Sequence, residues 1–197
     1  MKLIILDRDG VINYDSDQYI KSPEEWTPIP GSLQAIARLN QRGYRVVVAT
    51  NQAGISRGLF DMKTLGAMHH KLHQSAQAVG ARIDAIFFCP HLSEEHCECR
   101  KPKPGMLLSI GQRFGISLRD VPVVGDSLRD LQAAEQVGAA PYLVKTGKGE
   151  KTLANSGLPH GTKVFDNLAM MVDRLLHADE IAPETVEMAR SALQKRK

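Results

Sequence analysis

The first ten residues, MKLIILDRDG, place a short apolar run directly before two aspartates. The run Leu3–Leu6 is typical of a buried strand, and Asp7 and Asp9 follow at its carboxyl end. A spacing of two in an extended chain directs both carboxylates to the same side. Because two close carboxylates repel each other, a hard cation such as Mg²⁺, which prefers oxygen ligands, would stabilise them. The alternative interpretation is a helix N-cap or a solvated turn.

Strand-like and helix-like patterns alternate along the chain. The predicted strands are Leu3–Leu6, Arg45–Ala49, Ala85–Phe88, Val121–Val124, Pro141–Val144 and Lys163–Phe165. The predicted helices are Ser32–Gln41, Met62–Val79, Met106–Phe114, Leu128–Val137 and Leu168–Leu176, with a last one from Pro183 towards the C-terminus. Four helices end at glycines suited to a C-cap, at positions 43, 80, 115 and 138. The alternation predicts an α/β fold, a Rossmann-like three-layer sandwich with a mostly parallel sheet.

Length and composition predict one globular domain over residues 1–197. Of the 197 residues, 43% are hydrophobic and 24% charged, and the net charge of +3 is too small for nucleic-acid or membrane binding through bulk charge. The apolar run near the N-terminus is far too short for a signal sequence or a membrane span. We therefore expect a cytoplasmic monomer whose partner is a small molecule rather than nucleic acid or a membrane.

Polar motifs follow three predicted strands at their carboxyl ends. They are Asp7-Arg8-Asp9-Gly10, Thr50-Asn51-Gln52 and Gly125-Asp126-Ser127. Open parallel sheets bind ligands in the crevice at this edge, so we expect the three motifs to meet there. The second motif offers hydroxyl, amide and backbone donors to an anion, although Thr and Asn also commonly cap helices. In the loop that follows it, Arg57 lies between two glycines and can pair with phosphate.

Residues 15–30 form a long segment rich in Asp, Ser and Pro. Its length favours a substrate-facing loop over a linker. It contains Tyr19 and the single tryptophan, Trp26, which either contact a sugar-like substrate or attach the loop to the core.

All three cysteines lie close together, in Cys89-Pro-His91 and Cys97-Glu-Cys99. This set can supply four ligands to a tetrahedral, structural Zn²⁺, with His96 as a competing fourth ligand. One alternative is three buried free cysteines beside a surface histidine. Another is a zinc ribbon that binds nucleic acid, which would be expected to carry interleaved aromatic residues and a basic stripe. Since Arg100 and Lys101 follow directly, a metal anchor would hold two cations beside the sheet edge.

In order and spacing, the Asp7–Gly10, Thr50–Gln52, Lys101 and Gly125–Asp130 motifs resemble those of the haloacid-dehalogenase-like (HAD) phosphatase superfamily, from residue 1 to about residue 147. Residues 50–58 and 99–106 resemble more specifically its heptose-bisphosphate phosphatase branch, which is related to the histidinol-phosphatase branch. The resemblance implies a minimal cap or none, and it includes the zinc loop at 89–99. The helical pattern from Pro183 onward, outside the resemblance, predicts a C-terminal helical extension at about 183–197.

The resemblance also implies a reaction, the removal of the 7-phosphate of a heptose bisphosphate in nucleotide-heptose and lipopolysaccharide core synthesis. Asp7 would be the nucleophile, and Asp9 the general acid and base. Thr50 and Lys101 would hold the phosphoryl group. Mg²⁺ would bind Asp7, the backbone carbonyl of Asp9 and Asp126. The expected substrate-binding residues are Asp15, Tyr19, Asn51, Gln52, Arg57 and Arg100. The alternatives are a histidinol-phosphatase-like or other small-molecule phosphomonoesterase, or an inactive zinc-stabilised binding module.

Overall fold

Six parallel strands form one sheet in the structure, a computed structural model that describes residues 1–178. They are β1 (Lys2–Leu6), β2 (Tyr44–Asn51), β3 (Ala85–Cys89), β4 (Pro122–Gly125), β5 (Ala140–Val144) and β6 (Lys163–Phe165). Their order across the sheet is β3-β2-β1-β4-β5-β6. The strand order reverses at β1, so a crevice is expected between the carboxyl ends of β1 and β4.

The helices of the described residues are α1 (Ser32–Gln41), α2 (Met62–Ala78), α3 (Gly105–Phe114), α4 (Leu128–Gln136), α5 (Gly149–Ala154) and α6, which covers residues 168–178. The predicted elements are present, with ends that differ by no more than two residues. The four predicted C-cap glycines have φ angles of 78°, 74°, 64° and 69°. Helix α5 was not predicted, because six residues are too few to show a helical period. The helix predicted from Pro183 lies outside the described residues.

The core consists of two apolar layers, one on each face of the sheet. Alternate residues of β1 enter opposite layers, with Ile4 in one and Ile5 in the other. Side chains of α1, α2 and α6 pack in the first layer, and those of α3 and α4 pack in the second. Burial of each large aliphatic side chain contributes about 1.5–3 kcal/mol. This arrangement confirms the three-layer sandwich and holds the polar strand ends on a rigid base.

The loop between β1 and α1 is attached to the core through Trp26, whose side chain is fully buried. Lys71 of α2 donates hydrogen bonds from Nζ to the carbonyl oxygens of Pro23 (2.6 Å) and Trp26 (2.8 Å). Of the two interpretations of Trp26, the structure therefore supports attachment of the loop. Among residues 1–178, no helix combines the length and apolar character needed to cross a membrane.

Candidate active site

One cavity of about 210 Å³ lies at the carboxyl edge of the sheet. Its lining includes every residue that the sequence predicts for catalysis, substrate binding or Mg²⁺ binding: Asp7, Asp9, Asp15, Tyr19, Thr50, Asn51, Gln52, Arg57, Arg100, Lys101 and Asp126. Thr50 and Asn51 lie at the end of β2, and the others lie in the loops that follow β1, β2, β3 and β4. The lining also contains Ser127, Arg129, Asp130 and Lys148, to which the sequence assigned no role. Residues far apart in the chain thus meet at the predicted edge.

Lys101 is the buried cation of this cavity, with 3% of its side chain exposed. Its Nζ lies 3.1 Å from Oδ2 of Asp7 and 2.5 Å from Oδ1 of Asp130, and donates a hydrogen bond to the carbonyl of Ala49 at 2.6 Å. Burial by itself would lower the pKa of Lys101, but the charges of Asp130 and Asp7 outweigh it and raise that pKa. The ammonium group therefore stays charged beside Asp7.

Asn51 holds the main chain of Lys101. Its Nδ2 donates to the Lys101 carbonyl at 3.0 Å, and its Oδ1 accepts from the Lys101 N–H at 3.2 Å. The end of β2 thus orients the loop after β3. Substrate contact by Asn51 stays a prediction, and in this structure its amide group holds the main chain of Lys101.

Three carboxylates, those of Asp7, Asp126 and Asp130, each offer an oxygen within 4.8 Å of the others. Burial raises the pKa of Asp7 well above its ordinary value, with Lys101 acting in the opposite direction. Burial and the charge of Asp130 raise the pKa of Asp126 to about 7. Burial would also raise the pKa of Asp130, but the charge of Lys101 and hydrogen bonds from Lys101 and Ser127 lower it. When ionised, the three carboxylates carry more negative charge than Lys101 alone can compensate. A divalent cation that prefers oxygen ligands fits this cluster.

Asp126 is held by the loop after β5 and by α5, two contacts that the sequence did not predict. The Lys148 N–H donates to Oδ2 of Asp126 at 2.7 Å, and the Thr152 hydroxyl donates to the main-chain carbonyl of Asp126 at 2.8 Å. Gly10 and Gly147 pack so closely on this carboxylate that a Cβ on either would overlap it. The loop could have been predicted to line the site, because β5 was predicted and the carboxyl ends of parallel strands lie at the same edge of the sheet.

The side chains that contact Asp9 differ from those that contact Asp7. Arg8, which is 1% exposed, donates to it from Nε at 3.1 Å and from Nη2 at 3.0 Å. The side chain of Asn13 donates at 2.8 Å and that of Gln52 at 2.9 Å. Both aspartates line the cavity, as their spacing predicts, but one contacts a lysine and the other an arginine with two amides. Arg8 and Asn13 were missed, since nothing in the motif distinguishes them from solvated residues.

Gln52 connects the side chains of Asp9 and Thr50. Its Nε2 donates to Oδ2 of Asp9 and to Oγ1 of Thr50, each at 2.9 Å. Gln52 is 4% exposed and Thr50 is 1% exposed, so both are held within the cavity wall.

The remaining predicted substrate residues surround the cavity mouth. The Arg57 guanidinium lies 5.9 Å from the centre of the Tyr19 ring, and Nη1 of Arg100 donates to the His91 carbonyl at 3.1 Å. Asp15 pairs with Lys148, whose Nζ is 3.0 Å from its Oδ2.

The four predicted zinc ligands, Cys89, His91, Cys97 and Cys99, form a second cluster. Sγ of Cys97 lies 3.6 Å from that of Cys89 and 3.5 Å from that of Cys99, and Nδ1 of His91 lies 3.4 Å from Sγ of Cys99. Tetrahedral Zn²⁺ with bonds of about 2.3 Å to sulfur requires separations of about 3.8 Å, so the donor set fits this metal. The cluster contains His91 and not His96. Its last member, Cys99, directly precedes Arg100 and Lys101 in the chain.

Comparison with known proteins places this site among phosphatases. A family model described as HAD-hydrolase-like matches residues 98–171, and one described as polynucleotide kinase 3 phosphatase matches residues 2–130. The D-glycero-beta-D-manno-heptose-1,7-bisphosphate 7-phosphatase of Bordetella bronchiseptica is 59% identical over 176 residues, which cover 89% of this chain and 98% of that protein. That of Pseudomonas putida is 56% identical, over 89% of this chain and 100% of that protein.

Solved structures agree with this comparison. The crystal structure of the D,D-heptose 1,7-bisphosphate phosphatase from B. bronchiseptica, complexed with magnesium and phosphate, is similar with a TM-score of 0.89 and 58% identity over 90% of this chain and 99% of that one. The phosphatase of the same name from Burkholderia thailandensis has a TM-score of 0.73 and 55% identity over 89% of this chain and 99% of that one.

Proposed function

Because this chain belongs to the HAD-like phosphatases, in the family of the D-glycero-beta-D-manno-heptose-1,7-bisphosphate 7-phosphatases, we propose that it hydrolyses the 7-phosphate of this sugar bisphosphate and releases heptose 1-phosphate. One observation carries the proposal. The buried ammonium of Lys101 lies 3.1 Å from the Asp7 carboxylate, at the edge where Asp126 and Thr50 line the same cavity. In the proposed reaction, Asp7 is the nucleophile and Lys101 the phosphate-binding cation, so their contact supports attack on a bound phosphate.

Asp7 acts as the nucleophile of this reaction. One of its carboxylate oxygens forms a bond to phosphorus while the bond from phosphorus to the sugar C7 oxygen breaks. Asp9 donates a proton to that leaving oxygen. A water molecule then attacks the aspartyl-phosphate and gives its proton to Asp9, so inorganic phosphate is released and both carboxyl groups return to their starting state. Lys101 and Thr50 hold the phosphoryl oxygens on which negative charge is concentrated.

Mg²⁺ would be held by the carboxylates of Asp7 and Asp126 and by the main-chain carbonyl of Asp9. When bound, this cation offsets the repulsion between the Asp7 carboxylate and the phosphate dianion. The raised pKa values of Asp7 and Asp126 support the assignment, because burial, with the charge of Asp130 added, disfavours their ionised forms, which a bound cation would stabilise. We assign Asp130 the task of holding Lys101, which its Oδ1 contacts, while its Oδ2 accepts a hydrogen bond from Ser127.

Recognition of the rest of the substrate falls to the cavity mouth. Arg57 and Arg100 supply positive charge there, and Asp15 and Tyr19 supply polar and aromatic contacts for a sugar. Asn51 and Gln52 contribute to the wall through their contacts with Lys101 and Asp9.

Zn²⁺ at Cys89, His91, Cys97 and Cys99 is structural, because the four protein ligands leave no open coordination position. Its effect on the reaction is indirect, through the placement of Arg100 and Lys101. The three cysteines form no disulfide, so they are available to bind this metal as thiolates, and a cytoplasmic location agrees with that. The monomeric state stays a prediction, which light scattering after size-exclusion chromatography would test.

A substrate panel tests the function. Phosphate release is measured with Mg²⁺ on the β and α anomers of the heptose bisphosphate, on histidinol phosphate and on an oligonucleotide with a 3′-phosphate. The relatives' names lead us to expect the β anomer to be the best substrate. Faster turnover of histidinol phosphate or of the oligonucleotide would contradict the proposal.

The aspartate variants complete this test. Asp7→Asn removes the nucleophile and is expected to abolish turnover. Asp120→Asn, at an exposed position whose left-handed φ of 61° asparagine tolerates, is the matched control and should retain activity. Substantial turnover by Asp7→Asn would rule out the covalent route.

A further inference from the structure

Lys148, in the loop after β5, contacts both the metal-site carboxylate and the loop at the cavity mouth. We propose that it is a positioning residue that ties the entrance loop, defined as residues 15–19, to the base of the active site. The proposal rests on the function proposed above for its kinetic consequence, but not for the contact itself. Nothing in the sequence motifs pointed to Lys148, which lies outside all of them.

The main chain of Lys148 is the fixed end of this connection. Its N–H donates to Oδ2 of Asp126 at 2.7 Å. The preceding Thr146 donates from its hydroxyl to the carbonyl of Gly10 at 2.6 Å, and Gly147 packs against Asp126 without room for a Cβ. The Cα of Lys148, from which the side chain starts, is therefore fixed against Asp126 and Gly10 at the base of the active site.

The ammonium group of Lys148 is the other end. It lies 3.0 Å from Oδ2 of Asp15 and 3.7 Å from Oδ1 of Asp17. Asp15 is only 18% exposed, whereas Asp17 is 90% exposed, so Asp15 is the stronger partner because solvent screens it less. Both aspartates belong to the entrance loop and line the cavity.

Within the entrance loop itself, the polar contacts are local. The Ser16 N–H donates to the side chain of Asp15 at 2.8 Å, and the Tyr19 N–H donates to the Ser16 carbonyl at 3.0 Å. Arg57 lies over the Tyr19 ring on the β2 side of the cavity, and Lys148 reaches the loop from the β5 side. Loss of the Lys148 contact should therefore loosen the β5 side of the loop and displace Asp15 from the substrate.

Amide hydrogen exchange of the intact protein without substrate tests the contact directly. In Lys148→Met, exchange of the entrance-loop amides should be about threefold faster, as expected for loss of a partly exposed ion pair. Lys148→Arg should restore the slower rate. Lys145→Met is the matched control: it removes a lysine of the same loop whose partner is Asp166, at 2.7 Å, and should leave the entrance loop unchanged. Unchanged exchange in Lys148→Met would overturn the proposal.

Kinetics then separate positioning from a direct contact with the reacting phosphate. For a positioning role, Lys148→Met raises KM about threefold or more with kcat little changed, and adding Asp15→Asn to it costs less than the two single effects combined. A large fall in kcat with additive effects would overturn the proposal in favour of direct contact. If the heptose bisphosphate is not a substrate while the exchange result holds, the proposed function fails and the Lys148 connection stands.

Discussion

The Nζ of Lys101 lies 3.1 Å from Oδ2 of Asp7, and only 3% of the lysine side chain is exposed. The two residues are far apart in the sequence and meet because β1 and β3 end at the same edge of the sheet. Shielding from solvent strengthens their attraction and leaves either charge costly to bury alone. The pair is therefore expected to matter for both catalysis and stability.

Replacing Lys101 with Met should lower kcat/KM by a factor on the order of 100–1,000, because the proposed function makes Lys101 a positioned donor to the phosphoryl group. It should also lower the melting temperature in the absence of Mg²⁺, since Asp7 and Asp130 then lack their cation. Steady-state kinetics and thermal unfolding measure these effects. Lys103→Met is the control and should change neither quantity much, because it removes a lysine two positions after Lys101 whose side chain is 41% exposed and pairs with Glu98.

Replacing Gly10 with Ala should weaken Mg²⁺ binding, because the new Cβ would overlap Oδ2 of Asp126. Gly43→Ala is the matched control, since Gly43 has a φ of 78° against 80° for Gly10 but nothing within 4 Å of its Cβ position. Both variants should lose about 1–2 kcal/mol through the left-handed backbone. Only Gly10→Ala should raise, by about tenfold or more, the Mg²⁺ concentration that gives half-maximal activity. Equal Mg²⁺ requirements in the two variants would contradict this account of the site.

Stabilisation by Mg²⁺ should increase with pH. In the metal-free protein, burial raises the pKa of Asp7 and brings that of Asp126 to about 7, against an ordinary value of 3.8. A carboxyl group with a raised pKa holds its proton more tightly when folded, so its stabilising contribution is present below about pH 4 and lost as pH rises through about 7. Because Mg²⁺ competes with these protons, it should raise the melting temperature more at about pH 8 than at about pH 5.5. Thermal unfolding with and without added Mg²⁺ measures this, and a larger effect at the lower pH would contradict it.

Replacing Gln52 with Met should lower kcat about tenfold with little change in KM. The variant loses the hydrogen bonds that orient Asp9 and Thr50, both 2.9 Å long, while Arg8 and Asn13 still hold Asp9. The sequence predicts instead that Gln52 binds substrate, in which case KM would rise and kcat would be preserved. Steady-state kinetics at saturating Mg²⁺ distinguishes the two roles.

The proposed zinc site can be tested at its histidine ligand, for which the sequence offers two candidates, His91 and His96. His91→Ala should reduce the zinc content found by elemental analysis, lower the melting temperature and lower kcat/KM, because the loop carrying Lys101 loses its anchor. His96→Ala, at an exposed residue outside the cluster, should retain zinc and activity. Full zinc in His91→Ala and loss of zinc in His96→Ala would show that His96 is the fourth ligand.

The sequence by itself determined the sheet, the helices longer than two turns and the edge at which the site lies. Apolar runs and helical periods are local properties, so they can be identified without knowing what packs against them. The motifs at Asp7, Thr50 and Asp126 could be placed together because parallel strands end at a common edge. The cysteine set was recognisable for a similar reason, since its four members lie within one short stretch.

Only the tertiary structure decided which atoms contact one another inside that edge. Asn51 holds the Lys101 main chain, Gln52 holds Asp9, and Lys148 connects Asp126 to Asp15. Such pairings depend on the direction of each side chain and on distances of about 3 Å between residues distant in sequence, which neither composition nor period contains. Helix α5 was missed for the opposite reason, because it is too short to carry a local pattern. The sequence thus located the chemistry, and packing between distant segments assigned each side chain its partner.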